Sequence, residues 1–231
     1  MIVGSGMIAM ASKAADAPDT LIFASGVSDS KEEDPKAYQR EVDLFNQHAA
    51  ERDWMRIFYF STCSVYDPEN VSSPYVSFKL EREREIIEEY PASTILRLPQ
   101  VIGSSENPKQ LGAFLFDRLS KEKSFEIYEN ACRYLFYAGD LPKLIELFNR
   151  KEFCGSTINV AHKNRCSIKE IVEIFEQLMG VTANYKLVPK GSCYEVPNSD
   201  FVDELDRNKL ELRSTPTEII SEFLSRYSKR S

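Results

Sequence analysis

Apolar and polar residues follow two interleaved periods along this chain. Short, almost unbroken apolar runs recur at 21–24 (LIFA), 57–60 (IFYF) and 93–98 (STILRL). Runs of that length, rich in β-branched and aromatic residues, suit strands buried on both faces. Between them lie stretches with helical spacing. Tyr38, Val42, Phe45 and Ala49 repeat at that spacing within 35–52. A second helix opens at Ser72 or Ser73, either of which can accept from a free N–H of the first turn. Pro74 suits the first helical position, and the helix runs on to Tyr90. A third spans 111–119. A fourth follows Ser167, where Ser167 and Glu170 have the spacing of a capping box; Ile168, Ile171, Ile174 and Phe175 face inward and Gly180 ends it. Strands alternating with helices predict an α/β fold with a parallel sheet and helices on both faces. The alternating charges of 81–85 predict a solvated helix face.

The first residues, MIVGSGMIAMASKAA, read as a stub of strand, a Gly4-x-Gly6-x-x-Ala9 turn and a short helix. Such a turn lets backbone approach a dinucleotide pyrophosphate at a helix N-terminus, which makes Gly4, Gly6, Met7 and Ile8 candidates for cofactor binding. A strand-to-helix turn without ligand reads equally well from this stretch alone. The run 21–24 ends in Ala24, Ser25 and Gly26, small residues against which a flat cofactor can lie. The interval between Gly6 and Ala24 has room for one helix and nothing more. No acidic residue stands ~20 positions beyond the fingerprint to bind a ribose 2′-OH; Asp16 and Asp19 mark a turn instead.

Candidate chemistry concentrates in 58–79, FYFSTCSVYDPENVSSPYVSFK. Thr62 stands near the end of a buried strand. Tyr75 and Lys79, four apart, share a helix face. A phenol with a pKa near ~10 ionises more readily beside a cation, which suits it to proton transfer. A strand, S-T-x-x-V-Y and then a capped P-Y-x-x-x-K helix resemble the extended short-chain dehydrogenase/reductase family, the NAD-dependent nucleotide-sugar epimerases and dehydratases. Asp67 stands where that family's pattern has glycine. The resemblance implies that Thr62 donates to the substrate oxygen and that Tyr75 is the acid/base. Lys79 is implied to hold the cofactor ribose and to lower the tyrosine pKa.

The resemblance continues over nearly the whole chain. Arg97 and Gln100 fall on an R-x-x-N segment, so Gln100 is implied to contact substrate and Pro99 to border the nicotinamide. Arg133 falls on the arginine that grips the nucleotide diphosphate, and Asp140 on a later helix-starting aspartate. What is implied is a shortened Rossmann-like parallel sheet that lacks an early β-α-β section. The cofactor-binding region is residues 1–103 with parts of 130–165, and the substrate region is mainly 104–231. The cofactor implied is NAD, with NADP open. The activity implied is an epimerase or reductase acting on a nucleotide sugar in surface-polysaccharide or related sugar metabolism. The alternative is a non-catalytic nucleotide-sugar or nucleotide binding protein that has lost cofactor affinity. The family's pattern also implies a homodimer through helices 35–52 and 74–90. Cys63-Ser64 in place of the dehydratases' Asp-Glu pair argues against 4,6-dehydration.

Composition narrows the partners. The 231 residues carry a formal net charge of −7 with no basic run, which disfavours nucleic acid and anionic membranes. Five cysteines without a C-x-x-C pair and two isolated histidines predict no metal site and free thiols in a reducing compartment. No signal peptide or spanning stretch is read, so the expected location is cytoplasmic.

Overall fold

The structure, a computed structural model, describes residues 1–105 and 107–227. In chain order the elements are β1 (Ile2–Val3), α1 (Met7–Ala11), β2 (Thr20–Phe23), α2 (Pro35–Ala49), β3 (Arg56–Thr62), α3 (Pro74–Glu89) and β4 (Ser93–Leu98). There follow β5 (Gln100–Ile102), α4 (Leu111–Ser120), β6 (Phe125–Tyr128), β7 (Cys132–Arg133), β8 (Leu135–Tyr137), α5 (Leu141–Phe148) and β9 (Ser156–Asn159). The last are β10 (Cys166–Ser167), α6 (Ile168–Met179), β11 (Tyr185–Val188), α7 (Ser199–Asn208) and α8 (Pro216–Tyr227). They form two compact units. The first holds residues 1–66, 70–98 and 139–160, and the second holds 67–69, 99–138 and the chain from 161 onward.

The first unit is built on a five-stranded parallel sheet in the order β1-β2-β3-β4-β9. Among the described residues no strand lies beyond β1. The short interval before Ala24 thus has its structural counterpart: the chain passes from β1 straight to its neighbour β2 through a five-residue helix and a 3-10 turn. Side-chain alternation assigns the two faces. Leu21, Phe23, Ile57, Tyr59 and Ile95 join Phe45 and Ala49 of α2 and Ile86 of α3 in one core. Phe45 is fully buried and meets Phe23 edge-on at 5.2 Å between centroids. Its burial stabilises by roughly 2–3 kcal/mol. On the opposite face, Arg56 of β3 donates to Thr94 Oγ1 at 2.9 Å and to the Phe148 carbonyl of α5 at 2.7 Å.

One expectation fails here. Arg82 and Glu83, read as part of a solvated face, are 4% exposed each. Glu83 accepts from Ser61 Oγ at 2.5 Å and from Arg97 Nε at 2.9 Å, which satisfies its buried carboxylate. Pro99 stands directly before strand β5, Gln100–Ile102, which pairs in parallel with β8.

In the second unit, α4, α6 and α8 pack around Leu115, Phe125, Ile171, Phe175 and Phe223. The capping box of Ser167 and Glu170 forms, and Gly180 closes α6 at φ +67° in the left-handed region. Cys132 and Cys193 are joined in a disulfide, while Cys63, Cys154 and Cys166 are free. That corrects the expectation of free thiols throughout: a pair 61 residues apart leaves no local spacing signature. Among the described residues no helix is long and apolar enough to cross a membrane.

Candidate functional site

Within the first unit the structure brings Thr62, Tyr75 and Lys79 together. Thr62 is the last residue of β3. Its Oγ1 accepts from the Ser64 N–H at 3.0 Å, and its hydroxyl is hydrogen-bonded to Tyr75. Helix α3 begins where it does because Ser73 Oγ caps the Val76 N–H at 3.2 Å and Pro74 needs no partner for a missing N–H. Tyr75 is therefore in the first turn and Lys79 one turn on, with Lys79 Nζ 6.0 Å from the Tyr75 ring centre. Thr62 and Tyr75 are each 7% exposed. Burial pushes the Tyr75 phenol above its ordinary value; the Thr62 hydrogen bond opposes this and the Glu41 carboxylate adds to it. The net direction is opposite to the lowering expected from Lys79, and the phenol is neutral at pH 7.

Lys79 is engaged elsewhere. It is 1% exposed and donates to Glu41 Oε1 at 2.8 Å, Glu41 Oε2 at 3.1 Å and the Tyr59 hydroxyl at 3.1 Å. Tyr59 in turn donates to Glu41 Oε1. Glu41, on α2, is fully buried, and its Oε2 also accepts from the Val27 N–H. Gly26 lies over this group: a Cβ there would stand 2.9 Å from Lys79 Nζ and 3.1 Å from Glu41 Oε2. Gly26 is small because the ion pair fills the space beside it, a reason distinct from room for a cofactor. Burial moves the Lys79 pKa down, and Glu41 opposes it.

The glycines of the opening turn differ in role. Gly4 has φ +132°, and a Cβ on it would stand 2.4 Å from the Ala24 carbonyl oxygen. It lets the ends of β1 and β2 meet. Gly6 has extended backbone and precedes α1, and a Cβ there would touch nothing within 4 Å. The half-buried Met7 and Ile8 follow in α1. The Ser25 carbonyl accepts from Arg40 at 2.9 Å. Cys63 donates to the Arg97 carbonyl at 3.2 Å, and burial pushes its thiol up to about 12, so it is no acid or base at neutral pH.

Pro99, Gln100 and Arg133 belong to the second unit. There the Gln100 N–H donates to the carbonyl of Tyr134, the residue after Arg133. The Arg133 guanidinium donates to the Cys132 carbonyl at 2.6 Å and is partly exposed. Sequence reasoning missed Glu41 and Tyr59. Glu41 is three residues after Tyr38 and four before Phe45, so a charge in register with the apolar stripe was the available signal.

These residues fit a nicotinamide dinucleotide only in part. The hydroxyl pair Thr62–Tyr75 and the open space at Gly6 fit it. Lys79, with its three ammonium donors matched by Glu41 and Tyr59, has none left for a ribose, and among the described residues β1 has no strand beyond it to wall an adenosine.

No protein-family model and no curated protein matches this chain. Solved structures do. A dTDP-glucose 4,6-dehydratase from Bacillus anthracis in complex with NAD superposes with a TM-score of 0.69 at 17% identity, over 91% of this chain and 73% of that one. A UDP-glucuronic acid 4-epimerase from Bacillus cereus, with UDP-glucuronic acid and NAD, gives 0.69 at 17% over 96% and 79%. The UDP-glucose 4-epimerase of Thermus thermophilus, in complex with NAD, gives 0.70 at 14% over 93% and 79%. At these identities it is the fold that is shared, a Rossmann-like α/β fold built on a parallel sheet.

Proposed function

We propose that this chain acts at a carbinol or ketone carbon of a nucleotide sugar, in the epimerase or oxidoreductase chemistry of its NAD-bound structural neighbours. The observation that carries this reading is the Thr62–Tyr75 hydrogen bond at the C-terminal end of β3. Parallel α/β sheets place their ligands at that end of the strands. A neutral, buried Tyr75 is a proton donor, so the pair favours delivery of a proton to a carbonyl oxygen that Thr62 also holds. The direction of reaction it favours is reduction of a keto sugar. A nicotinamide dinucleotide, when bound, supplies the hydride. For the second unit, taken by itself, the proposed role is substrate binding, and the Arg133 fork suits a diphosphate. Cys63, too weak an acid at neutral pH, supports no 4,6-dehydration.

The test is incubation with UDP- and dTDP-linked keto sugars and NADH or NADPH, read by mass spectrometry, with Tyr75→Phe alongside. Tyr75→Phe should lower turnover by at least about 100-fold. Turnover at the wild-type rate would remove Tyr75 from the chemistry.

A second reading is favoured by Lys79: a nucleotide-sugar binder that performs no hydride transfer. Titration calorimetry with NAD, NADH, NADP and NADPH separates the two. Sugar-nucleotide binding with no response to any dinucleotide supports the second.

A further inference from the structure

We propose that Lys79 is a structural cation in this chain, a clamp closed by Glu41 and Tyr59, and that no cofactor ribose is held by it. This inference does not rest on the proposed activity. An ammonium group has three protons, and three acceptor contacts meet them: both Glu41 oxygens and the Tyr59 hydroxyl, at 2.8, 3.1 and 3.1 Å. The carboxylate is satisfied from its other sides by Tyr59 and by the Val27 N–H. Nothing in the group is left over to recruit a ligand. Solvent is excluded too, since Lys79, Glu41 and Tyr59 are at most 1% exposed.

Access is closed by backbone. Gly26 sits so near that even a methyl group on it would press on both heads of the ion pair. For Lys79 to reach a ribose it would have to leave Glu41 as an uncompensated charge in the core, and a buried charge without a partner is strongly unfavourable.

The clamp has a task of its own. It ties four segments of the first unit: the turn after β2 through Val27, α2 through Glu41, β3 through Tyr59, and α3 through Lys79. Tyr75 is one helical turn before Lys79, so the clamp fixes the rotation of α3 and with it the placement of Tyr75 against Thr62. Lys79 and Glu41 are thus positioning residues.

Two measurements that need no turnover test this. The first is a double-mutant cycle in urea with Lys79→Met, Glu41→Gln and the double variant. Each single variant should unfold at lower urea than wild type, and the double variant at higher urea than either single, because it leaves no buried unpaired charge. Additive losses, or a Lys79→Met midpoint equal to wild type, would overturn the clamp. The second uses wild-type protein and so does not depend on any variant folding. Lysines are acetylated under native conditions with and without NADH, and the modified peptides are quantified. Lys79 should be acetylated at least about 10-fold more slowly than the exposed Lys121 or Lys163 in both cases. A Lys79 that reacts like these without NADH and is protected by it would overturn the proposal. Loss of the proposed activity alone would leave both readouts unchanged, so the two ideas fail separately.

Discussion

Removal of the Cys132–Cys193 disulfide should destabilise the second unit by about 2–4 kcal/mol. The bridge joins residues 61 apart, and the loop-entropy relation for that length gives roughly 4 kcal/mol at 25 °C. Some of this is offset because neighbouring contacts outlive the bond. The Cys132 N–H donates to the Ser192 carbonyl at 3.2 Å, and β7 stays paired with β10. The perturbation is a Cys132→Ser/Cys193→Ser variant, compared with wild type in urea with and without a phosphine reductant. With a urea m-value of about 1–3 kcal/mol/M, the midpoint should fall by on the order of 1–2 M. Far-ultraviolet circular dichroism is the suitable signal. The single tryptophan, Trp54, belongs to the first unit and reports on a different core. Reductant should shift wild type onto the variant and leave the variant unmoved. A thiol titration in denaturant without reductant should find three thiols, those of Cys63, Cys154 and Cys166. Titration of all five cysteines, or a wild-type midpoint indifferent to reductant, would refute the reasoning.

Gly4→Ala should destabilise the first unit by at least about 1–3 kcal/mol, from φ +132° and the contact with Ala24, whereas Gly6→Ala should cost under ~1 kcal/mol; thermal melts of the pair compare them. Phe45→Ala should cost about 3–5 kcal/mol by urea unfolding, since it removes a ring that packs edge-on against both Phe23 and Tyr59; a loss below ~1 kcal/mol would contradict its place in the core. Stability should also fall in alkali. The Cys63 and Cys166 thiols are pushed up to about 12, and the Tyr59 and Tyr75 phenols are raised, all chiefly by burial. Folding then favours their protonated forms: each contribution is whole below the unfolded pKa, near ~8.5 for thiols and ~10 for phenols, and is lost as pH rises toward the folded value. The loss approaches about 1.4 kcal/mol per pH unit per group, opposed by Lys79, whose lowered pKa works in the other direction. Urea midpoints that stay level from about pH 8 to 10.5 would show that these groups are not buried.

What the sequence made legible was local. The 93–98 strand, the Ser73 cap with Pro74, and the Ser167–Glu170 box are each written within a few neighbouring residues, and each forms. The proximity of Tyr75 and Lys79 follows from a spacing of four. What stayed hidden was pairing across distance. Tyr59 counts as apolar in a run such as IFYF, and only the arrival of Glu41 from α2 and Lys79 from α3 gives its hydroxyl a purpose. Glu83 reads as solvated among alternating charges, yet it is four residues from Lys79 and shares its buried side, where Arg97 of β4 meets it.

Strand β9 enters the sheet at its far end, beside β4, and this orders the events of folding. Strands β2, β3 and β4 each lie next to the strand before them in sequence, so they can assemble through crossovers of a single helical segment while the chain is still collapsing. Strand β9 pairs with β4 only after residues 99–138 have been spent in the second unit and residues 139–155, which hold α5, have returned to the first. Closing so long an excursion carries a larger entropic cost than any earlier pairing in the sheet. Kinetically, β9 is the last strand to dock, and its amide protons should gain protection from hydrogen exchange later in refolding than those of β3.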